Sequence, residues 1–117
     1  MNTAIKKIIE ENPISLSTIN TNNTPNVIAV AFAKVVSENQ IVITDNYMSQ
    51  TKENIKKNNN ICIAAWNKDW DGYKLVGTAE YLDSGKWKKL VENIKENKGM
   101  SAKGAILIKV AKIIKLH

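Results

Sequence analysis

Three strand-like segments stand at the front of the chain with connections too short to hold a helix. Residues 14–19, 26–36 and 41–44 are rich in Ile, Val and Thr, and only the polar stretch 20–25 and the link 37–40 separate them. Parallel neighbours need a crossover of a dozen or more residues, so these segments must run antiparallel. That spacing excludes a doubly wound dinucleotide-binding fold. The same pattern continues downstream, where residues 61–67 and 73–82 read as strands around the loop 68–72, and 105–116 as a long last strand.

Helices frame these strands. Ile5, Ile8 and Ile9 recur at helical spacing behind Asn2 or Thr3 as cap, until Asn12-Pro13 stops the run. Residues 50–58 predict a short polar helix with Ser49 as N-cap, Ile55 as its interior apolar residue, and asparagines 58–60 suited to a left-handed exit. Ser84 would cap a second inserted helix, on which Trp87, Leu90, Val91 and Ile94 follow the i, i+3, i+4, i+7 pattern toward Gly99. The expected fold is mainly β (α+β), a six-stranded antiparallel β-barrel with an N-terminal helix and two inserted helices. With 117 residues, no internal repeat and no flexible linker, residues 1–117 are expected to form one domain.

Composition narrows the chemistry. Cys62 is the one cysteine and His117 the one histidine, so there is no disulfide, no zinc cluster and no internal imidazole to serve a nucleophile. Cys62, in mid-strand, reads as a small buried hydrophobe. All 17 basic residues are lysine, against 11 acidic ones, for a net charge of +6. The missing guanidinium fork argues against a nucleic-acid partner, and the abundance of Lys, Ile and Asn fits AT-rich coding as well as it fits an anionic partner. Residues 12–33 carry no charge, but Ser, Thr and Asn interrupt them and the longest apolar run is 27–33, too short to cross a bilayer. Lys6, Lys7, Glu10 and Glu11 among the first isoleucines break any signal-peptide stretch. A cytoplasmic protein with no membrane partner is expected.

Two places could hold a ligand. Alternation along 26–36 points Ile28, Val30 and Phe32 one way and Ala29, Ala31 and Ala33 the other. A strip of methyl groups admits a planar ligand, the chain's own helix or a second subunit. The segment from Thr44 and Asp45 through Asn46, Tyr47, Met48, Ser49, Gln50 and Thr51 joins a strand end to a helix start. Free backbone N–H groups and the positive end of the helix dipole suit a phosphate there, and Ser49 and Thr51 add hydroxyls. Ordinary capping explains the same letters, and no glycine-rich phosphate loop is present. Trp66 and Trp70, with Tyr47 and Tyr73 as candidate neighbours, either sandwich a planar ring or serve as packing. Asp69 and Asp71 alternate in a loop where carboxylates are solvated, so no catalytic acid or base stands out.

These elements in this order resemble the small FMN-binding split barrels of the pyridoxamine 5′-phosphate oxidase-like superfamily, minimal bacterial FMN-binding proteins among them. The likeness runs through Ile14-Ser15-Leu16-Ser17-Thr18, Thr24-Pro25-Asn26-Val27, Ile41-Val42-Ile43-Thr44, Ser49-Gln50-Thr51-Lys52-Glu53-Asn54-Ile55 and Val76-Gly77-Thr78-Ala79-Glu80. It implies that the barrel is split, that the chain forms a homodimer with FMN in the groove, and that a small molecule donates or accepts electrons. By the same resemblance, the backbone of Ala29, Val30 and Ala31 contacts the flavin, and Thr44 and Asp45 lie beside the ring or ribityl chain. Ser49, Gln50 and Thr51 hold the phosphate, and Trp66 sits near the ring, with the partner subunit as one source. Family members place a lysine or arginine at the position of Gln50 or Thr51, and this chain has neither there.

The expected function is thus an FMN-dependent oxidoreductase or flavin electron carrier. The alternative is a non-enzymatic binding module for an anionic partner such as RNA, with exposed tryptophan stacking on bases. Flavin absorbance in the purified protein favours the first, and salt-sensitive retention on nucleic acid without a chromophore favours the second.

Overall fold

The long strand expected at 26–36 is two strands, and the break between them closes the barrel. The computed structural model describes residues 1–97 and 99–116. Its strands are β1 (Ile14–Ile19), β2 (Pro25–Val30), β3 (Lys34–Ser37), β4 (Gln40–Asp45), β5 (Asn60–Trp66), β6 (Gly72–Leu82) and β7 (Gly104–Lys115). They form one antiparallel sheet in the order β2-β1-β5-β6-β7-β4-β3. β2 and β3 are consecutive in sequence yet stand at opposite ends of that order, joined by Ala31-Phe32-Ala33 alone. Such a link reaches about 14 Å at full extension, so the sheet must curl until its two edges are neighbours.

The result is a split barrel of seven strands among the described residues rather than six. The expectation of six fails because Ala31-Phe32-Ala33 holds no glycine or proline and continues the alternation of its surroundings, so nothing local marks the crossing. One consequence falls on the alanine strip. Ala29 and Ala31 are exposed, whereas Ala33 turns inward and is buried after the crossing.

The helix α1 (Thr3–Glu11) begins at Asn2, whose side-chain oxygen accepts from the Ile5 amide at 2.9 Å. Its Ile5, Ile8 and Ile9 join Leu16, Ile41, Ile43, Ile63, Leu75, Ile106 and Ile108 in the barrel core. Each such side chain contributes about 1.5–3 kcal/mol when fully buried. Glu10 Oε2 accepts from the Val35 amide at 2.8 Å and so fastens α1 to β3 just beyond the crossing.

The helix α2 (Gln50–Lys57) follows β4 as expected, but Asn58 leaves it in extended rather than left-handed backbone. The third helix, α3 (Lys86–Glu92), starts at Gly85 with φ 88° instead of at Ser84. It stops at Asn93, whose Nδ2 donates back to the Lys89 carbonyl at 2.8 Å, and a 3-10 turn over Lys95–Asn97 follows. Val91 is buried over Val42 and Ala105 on the outside of the sheet, with Trp87, Leu90 and Ile94 half-buried around it. Cys62 is half-buried on the outward face rather than in the core, and burial pushes its thiol up while Lys74 opposes the shift. Among the described residues no helix is long and apolar enough to cross a membrane. His117 lies outside the described residues.

Candidate ligand cleft

β2 and the start of α2 face one another across a cleft of about 500 Å³. Ile28, Ala29, Val30, Ala31 and Phe32 form one wall. Thr44, Asn46, Tyr47, Met48, Ser49, Gln50 and Thr51 form the other, and Asn26 and Met100 complete it. The structure therefore brings Ala29, Val30, Ala31, Thr44, Ser49, Gln50 and Thr51 together, and leaves Asp45 and Trp66 out of the walls. Trp66, 38% exposed, ends β5, and neither it nor Trp70 lines the cleft, whereas Tyr47 does and is 81% exposed.

Asp45 is buried beneath the wall and shapes it. Its Oδ1 accepts from the Met48 amide at 2.6 Å, which turns the chain between β4 and α2, and its Oδ2 accepts from the Tyr81 hydroxyl. Tyr81 reaches Asp45 across Gly104, the strand partner of Asp45, where any Cβ would overlap the phenol ring. Burial, then the Asp45 hydrogen bond and charge, push the Tyr81 phenol above its ordinary value. Gly104→Ala should therefore displace the phenol and lower stability by about 1–2 kcal/mol in denaturant unfolding. A variant as stable as the parent would show that the ring moves aside at no cost.

A second buried polar group sets the position of α2. Asn54 is fully buried, and its Nδ2 donates to Thr18 Oγ1 at 3.0 Å and to Asn20 Oδ1 at 2.9 Å. Its Oδ1 accepts from Gln50 Nε2 at 2.8 Å. The helix is thus tied to β1 by an amide, with Ile55 and Thr51 as its other buried contacts.

The first turn of α2 is open to a ligand. Ser49 makes no side-chain capping bond, and Glu53 N is the first amide of the helix with a backbone partner, Ser49 O at 3.1 Å. The amides of Gln50, Thr51 and Lys52 therefore remain free, as the first turn of any helix leaves them. Thr44 Oγ1 is buried without a hydrogen-bond partner although its residue, 6% exposed, lines the cleft. Asn46 donates to Asn97 Oδ1 at 2.7 Å while its own Oδ1 has no partner. Unpaired buried polar groups are uncommon, and a ligand that supplies the missing partners is one way they are satisfied. Ile28, Val30, Phe32, Met48 and Met100 make the rest of the wall largely apolar, with Asn26 and Tyr47 as its other polar-tipped side chains. A molecule with a flat apolar body and an end rich in hydrogen-bond acceptors fits this distribution.

The sequence matches the profile of the pyridoxamine 5′-phosphate oxidase family over residues 1–117. The chain belongs to that family. A relative in Methanocaldococcus jannaschii, itself uncharacterized, is 30% identical over 114 residues, which cover 94% of this chain and 76% of the relative. Among solved structures, HupZ of Group A Streptococcus superposes with a TM-score of 0.92 at 23% identity, over 99% of this chain and 94% of HupZ. An FMN-binding protein from Syntrophomonas wolfei gives a TM-score of 0.80 at 19% identity, over 97% of this chain and 84% of that protein. These likenesses show that this member of the pyridoxamine 5′-phosphate oxidase family has the family's split-barrel fold. Ile28 and Phe32 escaped as site residues because alternation makes them look like core residues of their strand, and Met48, although inside the segment after Thr44, carries no polar group to single it out. Met100 had no sequence signal, because it reaches the cleft from a distant loop.

Proposed function

We propose that this family member is an FMN-binding flavoprotein that works as a flavin-dependent oxidoreductase or electron carrier. The observation that carries the reading is one cleft in which exposed Ala29 and Ala31 face a donor-rich helix start. The backbone of Ala29, Val30 and Ala31 would lie against the planar ring, where larger side chains would hold it off. Thr44 would satisfy its buried hydroxyl on the ring or ribityl chain. Ser49, Gln50, Thr51 and the free amides of α2 would hold the phosphate, and Asp45 would keep that junction in shape rather than touch the ligand. Bound FMN would supply the electron chemistry, and the protein its position and access.

The functional unit in this reading is a homodimer in the cytoplasm. Val27, Ser17, Cys62 and Val76 stand in register across the outward face of β2, β1, β5 and β6, with Ala29, Ser15 and Ala64 in the next row. This face has small side chains from β2 to β5, carries Lys74 on β6, exposes Val27 at 62%, and runs directly into the cleft wall at Ala29. A second copy seated there would cover the open side of the cleft. Trp66 shares the outward phase of Cys62 and Ala64, so the partner would present its tryptophan toward the ring.

Titration with FMN and riboflavin tests the reading. Both should bind, and Thr51→Ala should weaken FMN several-fold while leaving riboflavin nearly unchanged, the loss of about 1 kcal/mol for one hydrogen bond. Equal effects on the two would put the phosphate elsewhere. Sedimentation should give a dimer, and a 13.1 kDa monomer at micromolar concentration would contradict the interface.

A further inference from the structure

The walls of the cleft lack the charge that a phosphate end requires. Ser49, Gln50 and Thr51 are neutral, and the ionisable neighbours along the same segment do not help. Asp45 is a buried acid, Glu53 is an exposed acid in the first turn of α2, and the Lys52 ammonium is held 4.8 Å from the centroid of the Tyr81 ring. A dianion brought to this helix start by its own segment alone would meet free amides together with two carboxylates.

We propose that Lys103, from the loop leading into β7, supplies the missing charge and makes the start of α2 selective for a phosphomonoester over its dephosphorylated counterpart. This rests on the flavin reading above. Lys103 is anchored at both ends to the junction: its backbone amide donates to the Asp45 carbonyl at 2.7 Å, and its Nζ donates to the Met48 carbonyl at 3.1 Å. The ammonium therefore stands beside a cleft-wall residue, one position ahead of Ser49. The anchoring amide places Lys103 without help from its side chain, and the exposed side chain is free to swing from a neutral carbonyl to an anion. That exchange is favourable, because a phosphate oxygen brings a full negative charge to the ammonium where the Met48 carbonyl offers only a dipole. The second, independent sign of a ligand here is the buried, unpartnered Thr44 Oγ1 in the same cleft.

The experiment titrates the full chain, its Lys103→Gln variant and its Lys103→Arg variant with FMN, riboflavin and inorganic phosphate. Lys103→Gln should weaken FMN about tenfold and leave riboflavin within about twofold, and Lys103→Arg should keep the FMN preference. Because the site is exposed, raising salt should erode FMN binding in the parent more than in Lys103→Gln. If Lys103→Gln leaves FMN unchanged, or weakens both flavins equally, Lys103 does not read the phosphate, while the flavin reading stands. If neither flavin binds but phosphate binds the parent and not Lys103→Gln, the role of Lys103 stands and the flavin reading falls. If the parent binds none of the three, both are overturned.

Discussion

Asp45→Ala should lower the stability of the fold by about 3 kcal/mol, a large share of the roughly 5–15 kcal/mol that a domain of this kind possesses. The carboxylate is fully buried and accepts from both the Met48 amide and the Tyr81 hydroxyl. Truncation leaves both donors facing a void, and hydrogen bonds to a charged group contribute about 1.5–3 kcal/mol each. Part of that loss is offset, because a buried carboxylate no longer has to be desolvated. In urea the midpoint should fall by about 1–2 M. Asp45→Asn keeps an oxygen for Met48 and can turn its amide toward the phenol oxygen, so it should lose far less. A midpoint for Asp45→Ala within a few tenths molar of the parent would mean that the junction holds itself.

The same pair gives a pH signature. The phenol of Tyr81 is held protonated above the ordinary tyrosine value of about 10, since burial and Asp45 both disfavour the phenolate. Above that pH the unfolded chain releases the proton while the folded chain retains it, so stability falls as pH rises. Tyr81→Phe should flatten this decline, and an unchanged slope would assign the decline to other groups.

Much of this arrangement was legible in the sequence, and its gaps have physical causes. Turn residues at 20–25 and 37–40 show where strands reverse, and the junction after Thr44 is visible as a strand pattern giving way to a polar helix. The crossing at Ala31-Phe32-Ala33 was not legible, because a chain that leaves one sheet edge for the other can keep strand-like residues and strand-like alternation. Only the family resemblance sets Asp45 beside a ligand, next to Thr44 at the strand end. Nothing local tells that Tyr81 and Gly104, both far away in sequence, turn it into a buried acceptor. Lys103 was invisible for the same reason: its value comes from a hydrogen bond between loops that only the closed barrel brings together. Propensity and periodicity report neighbours along the chain, whereas these contacts depend on strand order.

Asn54→Leu should be the next most damaging change at the site, at about 2–3 kcal/mol, although leucine matches asparagine closely in shape and suits a helix better. A periodicity argument would place an apolar residue here, beside Ile55, on a helix with little else to bury. The amide instead satisfies Thr18, Asn20 and Gln50 at once, in a position with no access to water. Leucine would leave Asn20 Oδ1 and the Gln50 amide without that partner. Asn54→Asp should not rescue the helix, because it would set an oxygen against Asn20 Oδ1 and bury a charge with no cation at hand. The functional effect should exceed the structural one. The amide is the link between α2 and β1, so its loss shifts Ser49, Gln50 and Thr51 relative to the β2 wall. On the flavin reading proposed above, FMN should then weaken by more than riboflavin. Equal stability of Asn54→Leu and the parent in urea would show that Ile55 and Thr51 alone hold the helix in place. In that event the geometry of the start of α2 would have to come from the Asp45 junction alone.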